Sequence, residues 1–210
     1  MATYSDISED CEDVFILRTP AFSSRLGDEL VTLHILDGDF TDFILKAGDK
    51  AVECHRVIIA ANSPHLKTML KSNMKETKEY QACLDNISPN ALDVVMKYMY
   101  TGETRIPKDL LRDVVEAADF LQMDELKQIC VEKASMIVQP NNVISWFKLS
   151  DKMNLPELLA KCSEIMTSQL EEIKSGQEFL EMSISELSNY FTEAKKNEVD
   201  PDALLGAGLD

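Results

Sequence analysis

Three histidines and five cysteines are the residues of this 210-residue chain whose types most readily bind metal or attack a substrate, so their spacing is the first constraint on its chemistry. His34, His55 and His65 lack a metal-ligand neighbour at tight spacing, and His34 stands between apolar positions, where a histidine packs or faces solvent. Cys11, Cys54, Cys83, Cys130 and Cys162 are odd in number, widely spaced and without a CxxC pair, which argues against both a disulfide framework and a zinc site. Four of the five lie in apolar patterns, where Cys serves as a small hydrophobe. The sequence contains no GxSxG, no glycine-rich phosphate loop and no HExxH, the patterns that assemble a nucleophile, cradle a phosphate or hold zinc beside a general base. The expectation is a chain without catalysis, cofactor or metal.

Charge narrows the partners. With 21 Lys plus Arg against 37 Asp plus Glu, the formal net charge is -16, and most faces would repel a phosphate backbone, so nucleic acid is excluded as an expected partner. Hydrophobic residues at 45% and charged residues at 28% fit a globular chain with a real core. No apolar run reaches the roughly 18 residues a membrane span needs, and the N-terminus lacks the pattern of a signal peptide. Cytosol or nucleus is the expected compartment. Asp6, Glu9, Asp10, Glu12 and Asp13 precede the first base, Arg18, and mark residues 1–22 as an acidic, flexible leader.

The elements follow from periodicity. Ser23 to Leu36 reads as a helix carrying Leu26, Leu30 and Leu33 on one stripe and Val31 and Ile35 on another; a helix apolar on two sides must be covered on two sides. Phe43 to Leu45 and Ala51 to Cys54 read as strands around a Gly48-Asp49 turn, and YQACLDN as a third strand. HRVIIAANS reads as a buried helix, and Ser63-Pro64 and Ser88-Pro89 each start a further one, a capping hydroxyl preceding a proline at the first turn. Leu92, Val95, Met96 and Met99 form a core stripe, and a helix beginning at Pro107 carries Leu110, Leu111, Val114, Val115, Ala118 and Leu121. Asp124 to Met136 is predicted to be helical, with a boundary near Gln139; then come Val143 to Leu149, a stripe from Leu158 to Leu170, and a helix from Glu178 to Phe191. The tail 197–210 has little pattern and is expected to be disordered. The fold class is α+β, a small mixed sheet flanked by helices, followed by an all-helical region.

Asp42-Phe43-Ile44-Leu45, the run from Glu53 to Pro64, Met74-Lys75-Glu76, Tyr100-Thr101-Gly102 and the run from Ala117 to Met123 occur in the order and spacing of the BTB/POZ domain, which the chain resembles over residues 23–138. Pro140-Asn141-Asn142 and the helix of Trp146 resemble the start of the BACK domain of kelch-like proteins, over 139–196. The resemblance implies a BTB/POZ fold and a homodimer, with an interface that uses Leu26, Leu30 and Leu33 and has Asp42 and Arg56 near its centre. Read from the residues alone, Asp42 could equally be a strand-end cap and Arg56 an ordinary surface base. The resemblance further implies an adaptor that links an unknown substrate protein to a ubiquitin ligase through the type-3 cullin N-terminal domain. Met74, Lys75 and Glu76 would form the hydrophobic-x-acid contact, flanked by His65, Leu66 and Met69.

The chain departs from that pattern. His65-Leu66 stands where relatives carry two aromatics, Lys133-Ala134 stands where an aromatic-Leu pair is usual, and no kelch repeats follow. These departures leave a rival reading: a dimerising scaffold, cytoskeletal or a dominant-negative partner of kelch-like proteins, that does not bind cullin. The chain is either a fragment of a longer kelch-type protein or one with another substrate arm.

Overall fold

The computed structural model describes residue 29, residues 40–72 and residues 79–196, with side chains described as far as residue 193. The acidic leader, the tail, Met74-Lys75-Glu76 and the leucine-striped segment 23–36, apart from a helical and exposed Glu29, lie outside the described residues.

Strands β1 (Phe43–Ala47) and β2 (Lys50–Cys54) form a hairpin in which Phe43 pairs with Cys54 and Ala47 with Lys50. Phe43, Leu45 and Ala47 point inward at period two. The two-residue loop needs a positive φ, and Gly48 supplies it at +57°. Strand β3 (Gln81–Cys83) runs parallel to β1 and gives the sheet order β2-β1-β3. A parallel neighbour requires a crossover. Helices α1 (Arg56–Asn62) and α2 (Pro64–Lys71) lie within it.

Helix α1 differs from the buried helix expected of HRVIIAANS. Only Ile59 is fully buried, while Val57 and Ala61 face out, because two turns packed against α2 and the helix that starts at Pro89 have one inner face. The predicted serine caps are present: Ser63 Oγ accepts the Leu66 N–H at 3.1 Å and Ser88 Oγ that of Ala91 at 3.3 Å. Helix α3 (Pro89–Thr101) buries Leu92, Val95, Met96 and Met99, as their spacing requires, and ends on Gly102 in the left-handed region. Its Asp93 pairs with Lys50 of β2.

Helix α4 (Leu111–Phe120) begins four residues after Pro107, later than predicted. The Leu110 N–H bonds the Pro107 carbonyl at 3.0 Å and the Leu111 N–H that of Lys108 at 3.4 Å, so 107–110 is a tight turn ahead of the helix. Helix α5 (Asp124–Ile137) follows directly. The joint between them closes with the Met123 N–H on Ala118 O at 2.8 Å and the Gln122 N–H on Asp119 O at 3.0 Å, a Schellman arrangement that forces Gln122 to φ +56°. Helices α6 (Val143–Lys152) and α7 (Pro156–Ser168) are joined in the same way, through Leu155 N to Ser150 O and Asn154 at φ +51°.

Two further expectations are corrected. Leu170 leaves the α7 stripe and belongs to a separate turn, α8 (Leu170–Ile173). The helix predicted over Glu178 to Phe191 is two, α9 (Gln177–Leu180) and α10 (Ile184–Lys196). The break is a capping box: Ser183 Oγ accepts the Glu186 N–H at 3.2 Å and Glu186 Oε2 accepts the Ser183 N–H at 2.7 Å. One apolar core runs from Phe43 of the sheet through Leu126 and Cys130 of α5 to Phe147, Met166 and Tyr190 of the helical region. Phe147 and Tyr190 meet edge to face at 6.2 Å, and Tyr190 OH shares a hydrogen bond with Thr167.

Candidate interaction surfaces

The sheet register brings the start of β1, the end of β2 and the start of β3 to one end of the molecule, and the polar groups there are ordered. The Asp42 N–H extends the ladder to Cys54 O at 3.1 Å, and Asp42 Oδ1 accepts the Arg56 N–H at 2.7 Å. Asp42 is therefore a carboxylate cap on the N-terminus of α1, and it meets Arg56 through that residue's backbone amide. Tyr100 OH accepts the His55 N–H at 2.9 Å and lies 2.8 Å from His55 Nδ1, tying the β2–α1 corner to α3. Burial pushes the Tyr100 hydroxyl up to about 12. Around this ordered corner three large apolar side chains stand in water: Phe40 is 80% exposed, Val57 72% and Tyr80 60%. Such a cluster makes this corner a candidate interaction surface. The sequence reading missed all three, although Val57 and Ala61, four apart on α1, lie on the face opposite Ile59 and signal its second side.

The second surface is on α2. His65 and Met69 are half-buried, and the His65 ring packs against Phe120 at the end of α4 with centroids 4.6 Å apart. Leu66 is fully buried. It was expected beside a partner, but it offers no surface to one; its i+1 offset from His65 turns it into the core. Ala134 is likewise buried while Lys133 is exposed. Thus two of the four positions that depart from the family pattern are packing positions. Ser63, buried between α2 and α4, caps α2 and donates to the Leu121 carbonyl at 2.6 Å, fixing the angle at which this face is presented.

Burial raises the thiols of Cys54 and Cys162 to about 12 and that of Cys130 to about 11, so none of these three carries a thiolate near neutrality. Cys83 is exposed. Among the described residues no His, Cys, Asp and Glu gather as a metal site, and no helix is long and apolar enough to cross a membrane.

Comparison with known proteins agrees with this architecture. A family model for the BTB/POZ domain matches residues 34–137, and one for BACK (BTB And C-terminal Kelch) matches residues 143–197. Human kelch-like protein 38 is 29% identical over 184 residues, covering 88% of this chain and 32% of that protein. Mouse kelch-like protein 41 is 28% identical over 187 residues, covering 87% of this chain and 31% of that protein. The chain thus spans about a third of the length of these curated relatives. Among solved structures, the BTB domain of human gigaxonin superimposes with a TM-score of 0.50 at 28% identity, over 57% of this chain and 96% of that one. The BTB domain of zebrafish PATZ1 gives a TM-score of 0.52 at 20% identity, over 59% and 99%, a likeness of fold alone. BTB and BACK domains are non-catalytic protein-interaction modules. The three-stranded mixed sheet, its flanking helices and the helical region beyond make this chain a BTB/POZ domain followed by a BACK domain, distantly homologous to the kelch-like proteins.

Proposed function

We propose that the chain is a homodimeric adaptor that recruits a substrate protein to a ubiquitin ligase built on a type-3 cullin. Pairing is the foundation of this reading, and the exposed cluster of Phe40, Val57 and Tyr80 beside the Asp42–Arg56 contact supports it most directly. The sequence pattern adds Leu26, Leu30 and Leu33, whose stripe needs a second surface to cover it. The cullin half of the reading rests on family relationship, on half-exposed His65 and Met69 of α2, and on the sequence Met74-Lys75-Glu76 that follows them in the chain. A flexible Met fills a shallow apolar pocket, and Glu satisfies donors at its rim. Leu66 supports this face from beneath. A pair of chains would carry two cullin sites and two substrate sites, raising the effective concentration of each.

Light scattering on the purified chain, with Val57→Asp alongside, tests the pairing. A dimer that dissociates in the variant is the expected result, and a parent chain that stays single at micromolar concentration overturns it. Titration with the N-terminal domain of a type-3 cullin tests the rest. Met69→Glu and Met74→Glu are each expected to weaken binding by about 30-fold, the effect of losing an anchor worth about 2 kcal/mol. No binding by a dimeric parent chain would favour the scaffold reading, for which His65 and Lys133 are the surface departures that argue.

A further inference from the structure

The junction between the two domains holds a cavity of about 410 Å³ that neither surface above uses. The turn before α4 contributes Lys108 and Asp109, and α4 contributes Arg112. The end of α5 contributes Met136, the connecting link Asn141, and the first turns of α6 Trp146. We propose that this cavity binds an acidic peptide segment of a partner protein, one with an apolar residue beside a carboxylate.

Four observations carry it. In a chain of net charge -16, two cations and one acid converge here. Arg112 is held in place, its Nη1 donating to Ser145 Oγ at 2.7 Å and its Nε lying 3.6 Å from Glu116, which fixes the guanidinium while leaving donors free. Trp146 is only 5% exposed and lines the cavity, yet its indole N–H makes no hydrogen bond among the described residues. That nitrogen keeps contact with solvent, and so is open to an incoming acceptor. Met136, at the rim, is 73% exposed, an adaptable apolar contact for a neighbouring side chain of a peptide. The volume lies in the range of ligand sites and accommodates two side chains. The link that shapes the wall is itself rigid: Asn142 Oδ1 accepts the Gln139 N–H at 2.8 Å and Asn142 Nδ2 donates to Ile137 O at 3.1 Å.

Trp146 is the one tryptophan of the chain, so its fluorescence reads the cavity directly. The probe is the acetylated, amidated peptide Leu-Glu-Leu-Glu-Leu, with Leu-Gln-Leu-Gln-Leu as its neutral counterpart. A saturable change in Trp146 emission with the acidic peptide alone, weakening as salt rises, is expected. Lys108→Glu, at an exposed turn position, should lower that affinity about tenfold with an unchanged far-ultraviolet dichroism spectrum. No emission change with the acidic peptide overturns the proposal, as do an equal response to the neutral one or an unaltered affinity in Lys108→Glu. Inorganic phosphate that gives the same change and displaces the peptide makes this a small-anion site and equally overturns it.

Discussion

Replacing Ser63 by alanine should be the most costly single-oxygen deletion at the joint between α2 and α4. The hydroxyl is fully buried, accepts the Leu66 N–H at 3.1 Å and donates to the Leu121 carbonyl at 2.6 Å. Losing the cap costs about 1 kcal/mol. Leaving a buried carbonyl without its donor costs about 1–3 kcal/mol more. The sum is about 2–4 kcal/mol, equivalent to a fall in Tm of about 5–15 °C for a chain of this size. Ser88→Ala is the internal control: the same N-cap role and the same following proline, but a half-buried hydroxyl whose other partner, the Asp113 carboxylate at 2.8 Å, can turn to water. It should cost about 1 kcal/mol. Urea titrations followed by far-ultraviolet dichroism measure both. A loss in Ser63→Ala no greater than in Ser88→Ala would refute the assignment of most of the cost to the Leu121 contact.

Hydrogen bonds from Ser183, opposed by partial burial and aided by Lys148 3.8 Å away, hold the Glu186 carboxyl below its ordinary value, so folding gains stability from its ionised form. That contribution is present above the usual carboxylate range and is lost as pH falls through the lowered value; Glu186→Gln should flatten the acid limb of a stability-against-pH curve, and an unchanged limb would count against the capping box. Gln122→Gly should stabilise the chain by about 0.5–1 kcal/mol, because glycine adopts the φ of +56° without strain, whereas Asn154→Gly should gain less, asparagine already tolerating that region. Equal gains in denaturant titrations would refute the difference. Gly48→Ala, at φ +57° and with its new methyl 3.2 Å from Pro89 Cγ, should destabilise by about 1 kcal/mol or more. In an alkylation time course at pH 8 read by mass spectrometry, Cys83 should react ahead of Cys54, Cys130 and Cys162, whose raised thiol values and burial leave little thiolate; early labelling of any of the three would contradict their placement in the core.

Local chemistry determined a good deal of this protein. The period-two alternation of Phe43, Leu45 and Ala47, the Gly48 turn, the Ser-Pro starts of α2 and α3 and the Leu92-to-Met99 stripe all depend on neighbours a few residues away, and each is where the pattern places it. The order of motifs identified the BTB and BACK domains for the same reason: spacing along a chain survives where distant packing does not. Tertiary contacts decided the rest. Whether Leu66 faces a partner or the core, whether Asp42 meets the Arg56 side chain or its amide, and which side of α1 is left in water turn on how α1 and α2 lie against each other, α3 and α4. Those are relations between residues as much as 58 positions apart, as in the bond from Ser63 to Leu121, and a periodic pattern carries no record of them. The junction cavity is of the same kind. Lys108 and Trp146 come together because α4, α5 and α6 share one continuous core, and no window of sequence contains that fact.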